Sequence, residues 1–349
     1  MRIFGSKDTN VIGLDIGTHS IKIVELGGTV AAPKVKGWGV APTPKGGFND
    51  NAIADTGLVA DAVQGLFHDA GLQSKQVAVA VSASHAITKV LSMSAELSEL
   101  DLEEQVGIEA LHFVPYPIDE VNIDFEVIGP SATTEDTVDV LLVACRRSIV
   151  NDYIDMLDLT DMSLQYIDID TYALERICRS QKQFIGSEQQ PTALFDIGTN
   201  SSHLMVLGQD RVLYSRHQNF GGAQLINLVR REYSVGAREA EGILSSMQLP
   251  GDFIAAVQEP FTQQLEQEIN RALQFFYSSS AFSSVDNIVL SGMSAGIEGL
   301  APELERRMRT KISVLNPFEN VQVMSKRTSA ADHTYGLATA CGLSLRGLR

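Results

Sequence analysis

Two stretches of the chain could do the same chemistry. VIGLDIGTHSIKIVELG at 11–27 and TALFDIGTNSSHLMVLG at 192–208 align without a gap, placing Asp15 on Asp196, 181 residues apart (196 − 15). Each reads as strand, tight turn, strand. Gly17 and Gly198 let the backbone turn sharply and approach a ligand closely. Successive N–H groups in such a turn form a concave anion site. Thr18, Ser20, Thr199 and Ser201 add hydroxyl donors, and His19 and Asn200 complete the two turns. Asp15 and Asp196 end their strands, where they can hold the water shell of a Mg²⁺, an ion that keeps its waters and takes only one or two carboxylates. Two such hairpins facing each other would clamp a triphosphate. Each contact to a charged oxygen would contribute about 1.5–3 kcal/mol. One DIGT turn alone binds nothing as a rule, but two copies in register point to a phosphate clamp.

Two glycine turns support the clamp. NIVLSGMSAGIEGL at 287–300 is a buried strand, a turn and a helix start, and its Gly292, Met293 and Ser294 suit the close approach of a base or sugar. Gly221 and Gly222 follow a strand and open a helix, whose free N–H groups and dipole favour a phosphate or ribose. His19 and His203 are not spaced as metal ligands.

The elements that must position these residues are legible in outline. Apolar residues Leu58, Val59, Ala62, Val63, Leu66 and Phe67 share one helical face, and Gly71 stops that helix. VAVAV at 77–81 suits a buried strand. A helix over 98–113, closed by PYP, precedes two strand signals, VNIDFEVIG and TVDVLLVAC, separated by the polar turn SATTED; a helix over 149–159 follows. A long helix buries Phe261, Leu265, Ile269, Leu273 and Phe276 on one face. A small-residue helix over 335–345 ends the chain. This gives an α/β protein of two lobes. The first-lobe core spans 1–91, an inserted subdomain 92–164, and a return with a crossing helix 165–191. The second lobe spans 192–349, with its own insertion around 233–283 and the last helix packing back between the lobes.

Composition narrows the function. The 349 residues are 44% hydrophobic and 20% charged, ordinary for a globular chain. A net charge of −16 opposes phosphate backbones, so nucleic acid is not an expected partner. Cys145, Cys178 and Cys341 form no CxxC pair and read as reduced, buried thiols. The first residues show no signal peptide, and no apolar run is long enough to span a bilayer.

The order of motifs (hairpin, crossing helix, second hairpin, glycine pair, adenosine turn) resembles the actin/Hsp70/FtsA ATPase superfamily. Within it, GLDIGTHSIKIVEL, the inserted LSMSAELSELDLEEQVGIEALHFVPYPIDEVNIDFEVIG, VACRRSIVNDYIDMLDLTDMSLQYIDIDTYALERI, EQEINRALQFFYSSS and ATACGLSLR are similar to the PilM family over essentially the whole chain. The resemblance implies an actin-like two-lobe ATPase fold, duplicated RNase H-like domains with an FtsA/PilM-type insertion, holding ATP and Mg²⁺ in the cleft with at most weak hydrolysis. It implies that Lys22 contacts phosphate, unless it is a solvated strand lysine, and that Glu241 lies at the nucleoside. Met293 and Leu244 depart from the superfamily, standing where a second glycine and a lysine are common. Asp168 and Asp170 fall where a carboxylate can orient a water or cap the crossing helix.

The resemblance also implies a role: a cytoplasmic scaffold on the inner membrane that binds the N-terminal cytoplasmic tail of PilN between the first lobe and the insert. With PilO and PilP it would link the pilus motor ATPases and platform to the secretin, with a homo-oligomer left open. The alternatives are an FtsA-like division or filament-forming ATPase and a small-molecule kinase. The chain shows neither a basic amphipathic tail at its end nor a kinase substrate set.

Overall fold

The computed structural model describes residues 10–131, 134–187, 189–209, 211–244, 249–319, 321–324 and 331–348, the last segment by backbone alone at 331–333. The reading of the first nine residues, and parts of the 131–136 turn, the 186–191 linker and the 233–283 insertion, lie outside these.

The first lobe begins with a meander: β1 (Ile12–Ile16), β2 (Ser20–Thr29) and β3 (Ala32–Pro42), antiparallel in register, with Asp15 opposite Lys22. A two-residue hairpin, β4 (Phe48–Asn49) with β5 (Ala52–Ile53), leads to α1 (Thr56–Ala70). Asp55 caps α1 by accepting the Leu58 N–H at 3.0 Å, and Gly71 ends it in the left-handed region at φ 65°. Of the expected apolar face, Leu58 is exposed and the other five residues face the core or its edge. Then β6 (Gln76–Val81) pairs parallel to β1.

The insert is a small sheet of β7 (Ala86–Ser94), β8 (Val121–Pro130) and β9 (Thr137–Arg146), in the order β7-β9-β8, with α2 (Glu99–Phe113) on one face. Ser98 caps α2 as its position suggests. Two boundaries differ from the sequence reading. The sheet starts at Ala86 because β7 belongs to it. The helix α3 (Arg147–Asp158) buries Tyr153, Met156 and Leu157 beside α1 in the first-lobe core, so it belongs to the lobe. The chain returns through β10 (Ser163–Ile169), parallel to β6, and α4 (Asp170–Ser180).

The second lobe repeats the plan: β11 (Thr192–Ile197), β12 (Ser202–Leu207), β13 (Val212–Gln218), α5 (Gly222–Tyr233), α6 (Ala237–Leu244), α7 (Glu259–Ser279), β14 (Asn287–Ser291), α8 (Leu300–Met308) and β15 (Lys311–Val314). Its sheet order, β13-β12-β11-β14-β15, mirrors β3-β2-β1-β6-β10 of the first lobe. The duplication seen in one hairpin thus extends over five strands. The described part of 233–283 is helical. A π-turn at Ile254–Gln258 leads into α7, whose five predicted apolar residues are all buried. The chain crosses back: β16 (Gln322–Val323) adds to the free edge of β3, and a 3₁₀ stretch (Ala331–Leu337) precedes α9 (Ala338–Leu345). The expected terminal helix is therefore α-helical only from Ala338.

The lobes share one core. Val24, Leu26 and Trp38 from the first sheet and Leu194, Met205 and Val289 from the second pack on α4 and α9 between them. The backbones there nearly touch. A methyl group on Gly342 would overlap the Ala173 carbonyl, and one on Gly13 the Ala340 carbonyl. Cys178 and Cys341 lie in this core, Cys145 in the first lobe, all three as free thiols. Gly342→Ala is expected to destabilise the chain by at least about 1–3 kcal/mol, the usual cost of overpacking. Gly65→Ala, where a methyl meets nothing within 4 Å, should be neutral or gain up to about 1 kcal/mol. Denaturant midpoints of the two variants check this.

Candidate nucleotide cleft

The two DIGT turns stand at corresponding ends of the two sheets. In the first, Gly17 N–H closes the turn on Ser20 O at 3.0 Å, and Thr43 Oγ1 donates to Gly17 O at 2.6 Å. Among the described residues, the N–H groups of Thr18, His19, Thr199 and Asn200 have no acceptor in the chain. They are the donors an anion would meet. Gly198 is tight: a side chain there would lie 2.6 Å from Ser201 O.

Asp15 accepts from Lys22 Nζ at 2.8 Å, its cross-strand partner on the cleft side of β1 and β2. Asp196 occupies the same place on β11. Burial, together with the Asp15 charge, pushes its carboxyl up to about 6, against the opposing pull of the Ser291 hydroxyl and Lys22. Asp170, first residue of α4, accepts from Ala83 N–H at 3.0 Å and Thr171 N–H at 2.7 Å, yet burial and the charges of Asp196 and Asp15 raise it to about 7. Three carboxylates therefore lie within electrostatic reach of one another, with one lysine against them. Tyr153, fully buried on α3, lies behind them, and the charges of Asp15 and Asp170 help raise its phenol. This acidic surplus suits a divalent cation. Among the described residues no three acidic, His or Cys side chains are close enough to grip an ion directly.

Asp168 and Asp170, read together from sequence, part company. Asp168 is buried and bound to Arg176 Nη2 at 2.9 Å and Arg346 Nη1 at 2.8 Å, tying β10 to α4 and to the end of α9. Strand alternation alone would put the two on one face; the strand ends at Ile169, and Asp170, as the first residue of α4, turns away from it.

The glycine pair also behaves differently from its reading. Gly222 N–H donates to Gly198 O and Ala223 N–H to Thr199 O, both at 2.8 Å, and Gly221 N–H donates to Gln224 Oε1 at 2.9 Å. These N–H groups are spent on the second hairpin and on the helix cap, so the expected free donors are not there. Gly221 and Gly222 instead let α5 seat directly on the turn. The adenosine turn leans on the same hairpin: Gly292, at φ 95°, has no room for a side chain beside Ile197 O. Met293 is exposed and reaches toward Gly336, while Ser294 Oγ lies beside Gly222. Across the mouth, His19 Nδ1 of the first turn stands 4.0 Å from Glu241 of α6. Leu244 ends that helix, packed against the second-lobe core.

His203, read from the sequence as incidental, holds a defined place in the site. It sits on β12 opposite Asp196, as Lys22 sits opposite Asp15. It hydrogen-bonds to Ser215 Oγ at 2.6 Å, and burial with the neighbouring His217 lowers it to about 4, so it is neutral near pH 7. The 181-residue offset that pairs the aspartates carries Lys22 onto His203, and that signal was available.

Against known proteins, the family model described as "Type IV pilus assembly protein PilM" matches residues 13–348. The chain belongs to the PilM family. Its structure is similar to a PilM-PilN type IV pilus biogenesis complex at 25% identity, covering 97% of this chain and 99% of that one, TM-score 0.81. It is similar in fold to the ethanolamine utilization protein EutJ from Carboxydothermus hydrogenoformans at 14% identity, covering 96% and 89%, TM-score 0.58. MreB 5 of Spiroplasma citri bound to AMPPNP also matches, at 11% identity over 90% and 95%, TM-score 0.48. The fold of this PilM-family chain is the actin-like two-lobe ATPase fold, and it is a pilus assembly protein. Among the described residues no helix is long and apolar enough to cross a membrane.

The folded chain holds the Asp170 proton more tightly than the unfolded one. It therefore binds more protons between the ordinary carboxylate pKa and about 7, and loses stability as pH rises through that window. Asp170→Asn keeps an acceptor for Ala83 and removes the charge. Its melting temperature should equal the parent's near pH ~4 and exceed it near pH ~7.5. Equal differences at both pH values would contradict the assignment.

Proposed function

We propose that this chain binds Mg²⁺·ATP between its two DIGT turns and acts as a scaffold of the pilus machine by binding the N-terminal cytoplasmic tail of PilN. The observation that carries the partner is the likeness to the PilM-PilN complex over 97% of the chain, insert included. Asp15 and Asp196 would hold the hydrated ion, and the Gly17–Ser20 and Gly198–Ser201 turns with Lys22 would hold the phosphates. Glu241, Gly292, Met293 and Ser294 would flank the nucleoside. When bound, the Mg²⁺ of the complex would supply positive charge opposite the Asp15 and Asp196 carboxylates. Asp170, near both aspartates, is better placed than Asp168 to orient a water. Hydrolysis is not needed for the scaffold role.

The tail has a fitting place at the junction of the first lobe and the insert. A hollow of about 190 Å³ there is lined by Ser84, His85, Ala86, Ile87, Tyr116, Arg146 and Ile149. Arg146 stacks over the Tyr116 ring at 4.1 Å, presenting an aromatic face and a cation to an entering chain. Bound there, the chain sits on the cytoplasmic face of the inner membrane through its partner and links it to the motor and platform.

A titration with a synthetic PilN N-terminal tail, with and without Mg²⁺·ATP, tests the role. Saturable binding is expected, weakened about tenfold or more by Tyr116→Ala, as for an aromatic anchor. No binding in either state removes the partner. Asp15→Ala and Gly198→Val should each weaken Mg²⁺·ATP binding by about tenfold or more, a loss of about 1.5–3 kcal/mol. Unchanged affinity in both, measured by calorimetry, removes the clamp.

A further inference from the structure

The negative charge of this protein is concentrated. Between 86 and 146, the span of the inserted sheet and α2, there are thirteen Asp and Glu against two cations, Lys89 and Arg146. That is −11 of a net −16, in 61 of 349 residues. The packing of the lobes requires no such concentration, since the insert's core is made of apolar side chains such as Leu102, Val106, Val140 and Leu142.

The same unit exposes an apolar stripe. Leu102, Val106 and Ala110 of α2 face that core. On the opposite side, Leu100, Ile108 and Leu111 are 78%, 53% and 61% exposed. Residues 100, 104, 107, 108 and 111 fall on one helical face, which therefore runs Leu100, Glu104, Gly107, Ile108, Leu111. A soluble surface helix ordinarily carries polar residues there.

Gly107 is the third observation. It lies in the interior of α2, where glycine weakens a helix relative to alanine. Nothing in the chain asks for it: a methyl group built there meets no atom within 4 Å. The glycine leaves a notch between Leu100 and Leu111 on the exposed face. Such a notch is useful when another backbone comes close.

We propose that the outward face of α2 is a docking surface for a cationic amphipathic helix of a partner protein. Its apolar side would cover Leu100, Ile108 and Leu111, its backbone would cross at Gly107, and its Lys or Arg residues would meet the acidic rim, including Glu103 and Glu104. Charge complementarity selects this occupant. The face is separate from the hollow at Tyr116 and Arg146, so the proposal stands whether or not PilN binds there. The anionic rim also repels anionic lipid, so a membrane is a poor occupant.

The test uses the full chain and a labelled model peptide of leucine and lysine, amphipathic as a helix and about 18 residues long, or five turns. Saturable binding is expected, weakened about tenfold or more between ~50 and ~300 mM NaCl as surface charges are screened. Gly107→Leu fills the notch, where a methyl group meets nothing within 4 Å, and it should raise Kd about tenfold or more; circular dichroism and melting check that it folds. The Leu100→Ser/Leu111→Ser variant should do the same. The proposal is overturned by no saturable binding, by equal binding of a leucine/glutamate peptide, or by an unchanged Kd for Gly107→Leu. Concentration-dependent dimers in sedimentation, lost in Gly107→Leu, would mean that a second copy covers the face and would overturn the partner assignment.

Discussion

The crossing of α4 and α9 between the two sheets is the contact on which the rest of this molecule depends. At Gly342 the backbone of α9 meets α4 at Ala173, and at Gly13 the backbone of β1 meets α9 at Ala340, so closely that carbonyl oxygens fill the space of side chains. Each lobe's sheet then packs its inner face on the same pair of helices, so the interior between the lobes is one continuous core. Asp168 braces the crossing with two arginines, one from each helix region. The DIGT turns emerge from strands that end beside this core. Their spacing is therefore set by the thickness of two helices in backbone contact. Any rotation of the lobes must be taken up here, because the hairpins themselves are held by cross-strand pairing.

The sequence made the duplication legible because its two hairpins demand the same small residues for the same geometric reason. Gly198 has no space for a side chain, and the aspartates must end a strand. The register that follows, Asp15 against Lys22 and Asp196 against His203, is a consequence of strand alternation. Helices with a clear apolar face, such as α1 and α7, were equally readable. Short edge strands were not. β15 and β16 are four and two residues long and owe their conformation to the neighbouring strand rather than to a pattern of their own. The start of the insert was missed because β7 alternates weakly, with Thr88, Lys89 and Val90 all exposed.

In the site, residue types were easier to read than hydrogen-bond partners. Gly221 and Gly222 looked like free donors at a helix start, but two consecutive N–H groups of α5 are taken by carbonyls of the second hairpin. That pairing joins segments 24 residues apart (222 − 198), and no local pattern announces it. The two aspartates of YIDID were likewise indistinguishable in sequence. One is matched by two guanidinium groups, and the other is left with backbone donors and two neighbouring carboxylates. Burial and the neighbouring carboxylates raise the Asp170 carboxyl to about 7, and a cation in the cleft would lower it. The cleft is thus built with unbalanced negative charge that its own lysine does not cancel.

The insert carries an imbalance of the same sign for a different reason. In the cleft the carboxylates are partly buried, so their repulsion costs stability and would be relieved by a bound cation. On α2 they are solvated, so their repulsion costs little in the free chain and acts mainly on what approaches. A stripe of leucine and isoleucine amid such charge gains nothing from the fold that holds it up, since its buried counterparts Leu102, Val106 and Ala110 already make the core. An actin-like scaffold whose lobes meet through a single shared core has one projecting unit free to carry contacts without disturbing the cleft. Here that unit bears most of the net charge and an uncovered apolar helix face with a glycine at its centre. On the proposed reading, this division would put nucleotide binding between the lobes and recognition on the insert, linked by the short path from Ala83, which Asp170 holds, to Ala86, where the insert begins.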